Sequence, residues 1–173
     1  MVKLYFDTEF SGLHQKTTLI SIGLVAETGE SFYAELTDYD KTQIDDWLKE
    51  NVIANLKLTD KISEKCSSWE NWNNSVTKTD TGIYINYNNT NENAPEFDLP
   101  IKDMKHYRMI SDKILLKDRL TRWLSQFDKI EIWSDCLSYD WVLFNEIWGH
   151  AFKIPTNILY IPFDIYNIQR KRN

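Results

Sequence analysis

The first residues of the chain alternate between apolar and other positions with the period of a β-strand. Val2, Leu4 and Phe6 lie at every second position, which predicts a strand with one buried face. An apolar, β-branched segment follows at Thr17–Ala26, and Ser31–Leu36 returns after a turn. We expect these three segments to form an antiparallel meander.

Three later segments carry apolar residues at helical spacing. The first follows Asp40, and the second runs from Leu116 to Phe127 with Ser111 as its predicted N-cap. The third runs from Asp140 to Trp148, and Gly149 suits its C-terminal end. Each helix is expected to pack its apolar face on the sheet.

Two more strands and a final helix are predicted in the second half of the chain. Lys129–Trp133 and Asn157–Phe163 are short and apolar, and Asp164–Asn173 is expected to start a last helix. Residues 60–110 are rich in Ser, Thr and Asn, so we expect a loop-rich insertion with one added strand near Gly82–Ile85. This order predicts an α/β fold, a mixed sheet of about five strands flanked by helices.

Composition supports a folded domain and limits its partners. The chain has 173 residues, expected as one domain over 1–173, and is 42% hydrophobic and 14% aromatic. The net charge of −6 provides no overall basic field, so a nucleic acid must be bound locally. A small basic cluster within 102–108 is either a solvated face or a phosphate contact. Cys66 and Cys136 suit neither a disulfide framework nor a zinc site. With no signal peptide and no long apolar segment, we expect a cytoplasmic protein without a membrane partner.

Two carboxylates stand where the first strand should end. Asp7 and Glu9 are two positions apart, so in extended chain they point to one side, roughly 6.5–7 Å apart. Such a pair stays ionised at low cost when a cation lies between the two groups. The alternative is an acidic strand end exposed to solvent, and the Asp-x-Glu pattern alone leaves both open.

A third carboxylate begins the helix at Asp140. Apolar residues three, four and seven positions on define the inward stripe, and Asp140 shares that face. A carboxylate on the core side of a helix needs a partner. Asp140 either caps the helix, or leaves that role to Ser138 and faces the strand ends. Nearby Asp135 is predicted to be either a loop carboxylate or a residue that hydrogen-bonds a turn, rather than a metal ligand.

The order of these features resembles the DEDD superfamily of 3′–5′ exonucleases, which have a ribonuclease H-like fold. Asp7–Phe10 (DTEF) matches its first motif and Ser134–Trp141 its second. The likeness is closest to the RNase AS-like, polyadenylate-specific exoribonucleases and their phage relatives. These also carry counterparts of Leu19–Ala26, of Trp47–Val52 and of the Trp148-Gly149 helix end. The resemblance covers most of the chain outside the insertion.

The resemblance implies a two-metal phosphodiester hydrolase. Asp7 would bridge two Mg²⁺ or Mn²⁺ ions, Glu9 would hold one ion near the terminal 3′-hydroxyl, and Asp140 would help hold the other. The loop after the first motif would contact the terminal nucleotide. Its residues are Phe10, Ser11, Gly12, Leu13 and His14. Phe10 or Leu13 would either stack on the terminal base or belong to the core.

The third motif of the superfamily, His-x4-Asp, is missing from the sequence. In relatives its His is the general base and its Asp the fourth ligand. None of His14, His106 and His150 has an acidic residue five positions on. Tyr160 and Asp164 fit the alternative Tyr-x3-Asp by spacing, although the motif needs a helical face and this segment is predicted as a strand. We therefore expect a C-terminally incomplete exonuclease fold.

Together these features predict a metal-dependent 3′–5′ exonuclease that acts on single-stranded 3′ ends, RNA rather than DNA, and is impaired by the missing motif. The alternative is a catalytically inactive nuclease-fold module that binds nucleic acid or a protein partner. Three convergent acids favour the first, and the missing motif favours the second. Because members of the superfamily often form dimers, the resemblance also leaves a homodimer open.

Overall fold

The computed structural model describes residues 1–58, 75–79, 82–86 and 105–166. Its centre is a mixed sheet of eight strands in the order β4-β5-β6-β3-β2-β1-β7-β8. In chain order the strands are β1 (Val2–Phe10), β2 (Leu19–Ala26), β3 (Ser31–Leu36), β4 (Ser75–Thr79), β5 (Gly82–Asn86), β6 (His106–Ser111), β7 (Ile130–Ser134) and β8 (Phe163–Asp164).

The first three strands form the predicted antiparallel meander, with β2 between β1 and β3. Parallel strands extend the sheet on both sides, because β7 pairs with β1 and β6 pairs with β3. Parallel pairs need crossover connections, and the helix at Leu137–Glu146 lies in the connection between the parallel strands β7 and β8. Strand β8 in turn pairs in parallel with β7, so the carboxyl ends of β1, β7 and β8 point in the same direction and lie side by side.

Three α-helices belong to the described residues: α1 (Asp46–Asn51), α2 (Lys113–Leu124) and α3 (Leu137–Glu146). Asp45 caps α1 and Asp112 caps α2, each by accepting a 2.8 Å hydrogen bond from a backbone N–H three residues on. The prediction of Ser111 as the α2 N-cap is wrong by one residue, because Ser111 is the last residue of β6.

Both faces of the sheet are partly covered. On one face, the alternate residues of β1 pack with α2 and α3 in the main core, where Trp123 and Phe144 are fully buried. On the other face, Ile20 packs with Leu48, Val52 and Leu56 in a smaller cluster. This smaller cluster seats α1 and the short 3₁₀ turn after it against the sheet, and within the described part of the chain the rest of that face is open near β1 and β3.

The strand predicted at Asn157–Phe163 is wrong. Ile158 makes one isolated bridge to Ile130, and the chain then leaves the sheet until β8. Pro162 has no N–H to donate to a neighbouring strand, so regular pairing begins only after it. The side chain of Ile161 is 73% exposed, which an apolar strand in a sheet of this kind would not allow.

The insertion contributes more to the sheet than predicted. A strand (β5) does form at Gly82–Asn86. Strands β4 and β6 also lie within 60–111, and both are neighbours of β5 in the sheet. Burial alternates along β6, with Tyr107 and Met109 in the core. The remaining calls on 60–104 and most of the predicted helix at Asp164–Asn173 lie outside the described residues.

The α/β prediction is confirmed: a mixed sheet carries helices on its faces, and this arrangement is compatible with a ribonuclease H-like exonuclease fold. The sheet has more strands than the five predicted. Within the described ranges, every helix is too short or too polar to cross a membrane.

Candidate metal centre

Strand β1 carries the first two predicted acids at its carboxyl end. Burial alternates along the strand, so Asp7 and Glu9 lie on the exposed side while Thr8 between them points into the core. A register shift against β2 falls between Glu9 and Phe10, and such a bulge turns the chain away from the sheet just after the acids. The alternation that predicted the strand thus also places both acids on one face.

Asp140 enters the same region from helix α3. It lies in the first turn and is fully buried. Its Oδ1 accepts a 2.6 Å hydrogen bond from Thr8 Oγ1, and its Oδ2 accepts one from Ser134 Oγ. The N-cap of α3 is Cys136, whose side chain makes no capping bond. Asp140 and Ser138 are therefore not helix caps, and a buried carboxylate is held in place by two hydroxyls.

The structure brings Asp7, Asp135 and Asp140 together. One carboxylate oxygen from each lies within 4.8 Å of the others. Asp7 and Asp135 are exposed, and Asp140 forms the buried side of the group. This separation allows one ion to contact all three, since oxygen ligands sit roughly 2.0–2.6 Å from Mg²⁺ or Ca²⁺-like cations.

Asp135 does lie in a loop, directly after β7, as predicted, and the structure also brings it into this group of acids. Its position follows from the parallel pairing of β1 and β7, in which Tyr5 is the partner of Trp133. Asp7 and Asp135 each come two residues after that last pair, and their carboxylates lie close together. The sequence contained this signal, but it could be used only once the pairing of two strands distant in sequence was known.

The electrostatics of the group favour a bound cation. The pKa of Asp7 is raised to about 6, first by partial desolvation of its carboxyl group and then by the negative charges of Asp140, Glu9 and Asp135. Burial also raises the pKa of Asp140, against the opposing effect of the hydroxyl donors Ser134 and Thr8. Carboxylates that disfavour one another's ionised form gain from a divalent ion between them. The donor set, all carboxylate oxygen, suits a hard cation and is compatible with divalent metal binding.

Glu9 lies beside this group rather than in it. Its pKa is raised by burial and then by the charge of Asp140, so the two carboxylates are electrostatically coupled. Glu9 and Asp7 together line one end of a cleft of about 320 Å³ that continues across β2 and β3 toward residues 51–57. Of the three predicted acids, Asp7 and Asp140 meet directly, and Glu9 faces the adjoining cleft.

The loop predicted to contact substrate divides into exposed and internal side chains. Leu13 is 72% exposed, and His14 is exposed beside it. Phe10 stacks on Tyr139 with ring centroids 5.3 Å apart. In the sequence, Phe10 directly follows Glu9 and Tyr139 directly precedes Asp140. A Cβ on Gly12 would come within 3.1 Å of the His14 ring, so the turn favours glycine.

Ser11 is buried, and its hydroxyl is used inside the protein. The Ser11 hydroxyl accepts a 2.8 Å hydrogen bond from the backbone N–H of Thr18 and donates a 2.5 Å hydrogen bond to Gln43 Oε1. Gln43 in turn donates to the backbone carbonyl of Lys16 at 3.0 Å. These contacts tie the loop to the segment before α1. Ser11 thus supports the loop from within, and Leu13 and His14 form its outer surface.

No histidine joins the acidic group. His106 Nδ1 lies 2.9 Å from Ser31 Oγ. The strand pairing sets both residues level with Tyr5 of β1, before the carboxyl end of that strand. His150 caps a short 3₁₀ helix after α3. His14 accepts from the backbone N–H of Lys16 at 3.2 Å.

The Tyr-x3-Asp alternative also fails on geometry. Tyr160 is half exposed and stacks on Phe152, with ring centroids 5.3 Å apart. Asp164 ends β8 opposite Ser134. No helix includes both residues, so they do not share the helical face that the motif requires.

Comparison with known proteins gives a partial match. No protein-family model matches the chain. The chain is similar to the 3′-5′ exoribonuclease Rv2179c of Mycobacterium tuberculosis strain H37Rv and to the 3′-5′ exoribonuclease MT2234.1 of strain CDC 1551 / Oshkosh. In each case 55 residues are 36% identical, covering 32% of this chain and 33% of the relative. The match therefore spans about a third of the length of these relatives and supports a nuclease relationship at a coarse level.

Proposed function

We propose that this protein is a metal-dependent 3′–5′ exonuclease that hydrolyses single-stranded RNA from its 3′ end. The observation that carries the proposal is the convergence of Asp7 and Asp140, whose carboxylate oxygens lie within 4.8 Å although they come from β1 and α3. A buried carboxylate beside two exposed ones is costly without a ligand. The partial similarity to two proteins named 3′-5′ exoribonucleases supports the same reaction and favours RNA.

In this proposal the carboxylates of Asp7, Asp135 and Asp140 hold the divalent ions, Mg²⁺ or Mn²⁺. Two such ions, when bound, supply Lewis-acid chemistry for phosphodiester hydrolysis. Thr8 and Ser134 fix the orientation of the Asp140 carboxylate through their hydrogen bonds.

Glu9 has a different role because it faces the cleft. In this proposal its carboxylate accepts a hydrogen bond from the terminal 3′-hydroxyl of an RNA strand in the cleft, and the position of Glu9 in the cleft lining supports that role. Such a contact would select a free 3′ end and set the direction of degradation. It is a positioning contact. Because the negative charge of Asp140 raises the pKa of Glu9, the contact is sensitive to the occupancy of the metal site.

The positions of the histidines favour a second candidate, a nuclease-fold module that binds RNA with little or no hydrolysis. His14, His106 and His150 are each engaged in local contacts outside the acidic group. Without a general base from the protein, removal of the proton from the attacking water depends on solvent, which costs on the order of 10²–10⁴ in rate. We therefore expect slow hydrolysis. A cytoplasmic location and a homodimer remain predictions.

Directional degradation of RNA tests the proposal. A single-stranded RNA labelled at the 5′ end should shorten as a ladder in Mn²⁺, whereas a 3′ label should be released at once as a mononucleotide. Asp7→Asn should abolish both signals. Asp128→Asn, an exposed carboxylate outside the site, is the matched control and should retain them.

Two results would separate the candidates. Cleavage that survives Asp7→Asn would show that another site or a contaminant is responsible, and the proposal would fail. Mn²⁺-dependent RNA binding without any shortening would instead identify the binding module.

A further inference from the structure

The open face of the sheet carries one continuous row of paired residues that starts at the metal centre. In the strand register, Asp7 pairs with Gly23, Gly23 with Tyr33, and Tyr33 with Arg108. Residues paired in this way share a face. With neighbouring strands about 4.8 Å apart, the row spans roughly 14 Å from β1 to β6. We call this row the crossing row.

The cleft that begins at Asp7 and Glu9 follows the first part of the crossing row. Its floor is formed by Ser21, Gly23 and Tyr33, and its wall by residues 51–57. Gly23 has no side chain, so the floor stays low between the acids and the tyrosine ring. A Cβ there would lie 3.8 Å from the Tyr33 ring, an ordinary contact that would still narrow the passage.

The wall of the cleft is fixed to the sheet through a buried carboxylate. Glu35 Oε1 accepts a 2.9 Å hydrogen bond from the Tyr33 hydroxyl and a 2.7 Å bond from the backbone N–H of Leu58. Leu56 and Leu58 are both buried. Lys57 lies between them with its side chain exposed and lines the cleft. Its position is therefore set by packing on both sides rather than by a free loop.

The cleft is acidic at one end and has a cation at the other. Lys57 is the one basic residue among those that line it in the described part of the chain. Within those same ranges, no carboxylate lies within 4.0 Å of the Lys57 or Arg108 head group. Arg108 is half buried on the crossing row beyond Tyr33. Both cations are thus available to an anionic ligand that approaches the open face.

A single strand of RNA fits this arrangement of charge. Metal ions at the acidic end offset the repulsion of one phosphate, but the neighbouring phosphates need cations from the protein itself. The net charge of −6 makes isolated cations on this face more important, because the rest of the molecule repels the ligand. A lysine on a four-carbon stem and a planar arginine are both common phosphate ligands.

We propose that Lys57 and Arg108 bind successive backbone phosphates of single-stranded RNA laid along the crossing row away from the metal centre. The inference rests on the proposed function for its ligand, and it adds the path of the strand. Contacts of this kind position the nucleic acid without reading its sequence. The affinity they supply is therefore salt-dependent and shared by RNAs of different sequence.

Salt titration of RNA binding tests the path. Fluorescence anisotropy of a 5′-labelled RNA, with Ca²⁺ replacing Mn²⁺, is measured from about 50 to about 200 mM salt. Each single variant, Lys57→Ala or Arg108→Ala, should weaken binding several-fold and lower the slope of log affinity against log salt by about 0.7. Lys57→Arg and Arg108→Lys should keep the slope. Lys49→Ala is the matched control, because Lys49 is exposed on α1 and paired with Asp46.

The outcomes distinguish the path from the function. If Lys57→Ala and Arg108→Ala leave the slope unchanged, or shift it no more than Lys49→Ala does, the inference is overturned even if RNA is degraded. If the wild-type chain binds no RNA, it is also overturned. If the slopes fall as expected but no RNA is shortened in Mn²⁺, the path stands and the exonuclease proposal fails. Thermal unfolding of each variant checks the fold, and Lys57→Gln or Arg108→Gln replaces the alanine variant at the same position if that variant unfolds.

Discussion

Thr8 and Asp140 are joined by a 2.6 Å hydrogen bond between buried side chains that are 132 residues apart in the sequence. The threonine belongs to β1 and points into the core between the two acids that face outward. The aspartate belongs to the first turn of α3. This bond therefore links the strand that carries Asp7 directly to the helix that carries Asp140.

Removal of the Thr8 hydroxyl should loosen the Asp140 carboxylate. Thr8→Val keeps the shape of the side chain but leaves a buried carboxylate oxygen without its donor, which should cost about 1–3 kcal/mol in the free energy of unfolding. Urea denaturation measures this cost, and calorimetric titration should show weaker Mn²⁺ binding. Thr8→Ser retains the hydroxyl and should recover most of both. Equal stability of the valine variant and the wild type would mean that the bond does not hold the carboxylate.

Mutual repulsion in the acidic group should make the metal-free protein less stable than it could be. Asp7→Asn removes one charge, so its melting temperature in EDTA should rise, by about 2–4 °C for each kcal/mol relieved. The same variant should lose the increase in melting temperature that Mn²⁺ gives the wild type. Asp135→Asn should behave in the same way if Asp135 is a ligand. Asp128→Asn should show neither change, since Asp128 is exposed and away from the site.

The raised pKa of Asp7 predicts the pH dependence of metal binding. Its value of about 6 compares with 3.8 for an ordinary aspartate, so a fraction of the protein carries a proton there at mildly acidic pH. A cation binds the ionised form, and the affinity for Mn²⁺ should therefore fall as the pH drops through about 6. Titrations from pH 7.5 to pH 5 measure this, and a flat profile would contradict the raised pKa.

The same shift sets the sign of the stability change without metal. Between the ordinary pKa of 3.8 and the folded value of about 6, the folded state holds a proton on Asp7 that the unfolded state has released. Stability due to this group therefore decreases as pH rises through that window. The stabilising effect of Asp7→Asn in EDTA should be largest above pH 6 and should shrink toward pH 4. An effect that grows at low pH would point to another group.

Patterns within short segments of the sequence were sufficient to predict single strands, one hairpin and the inward face of one helix. Alternation in β1 predicted the strand and placed Asp7 and Glu9 on one side of it, and burial along the strand agrees. The hairpin of β2 and β3 followed from a short turn between two apolar segments. Asp140 was placed on the inward face of its helix by the apolar residues that follow it, and it is fully buried.

Long-range pairing decided what the local patterns could not. Asp135 joins the acidic group because β7 pairs with β1 in a particular register, which no local pattern states. Strand β6 was missed because nearly all of it lies in the segment predicted to be a loop-rich insertion, although Tyr107 and Met109 do alternate toward the core. The predicted strand at Asn157–Phe163 failed because Pro162 prevents pairing where composition favours it.

The loop after β1 should contain one residue that contacts substrate and one that supports the fold. Leu13 is 72% exposed and lies outside the core, so Leu13→Ala should leave the melting temperature unchanged while raising the KM for short RNA several-fold. Ser11 is buried and joined to Thr18 and Gln43, so Ser11→Ala should lower the melting temperature and cost about 1–3 kcal/mol. Thermal unfolding and the rate of RNA shortening measured on both variants separate the two roles. If Leu13→Ala changes stability but not KM, the side chain belongs to the packing of the loop, and the predicted contact with the terminal nucleotide is wrong.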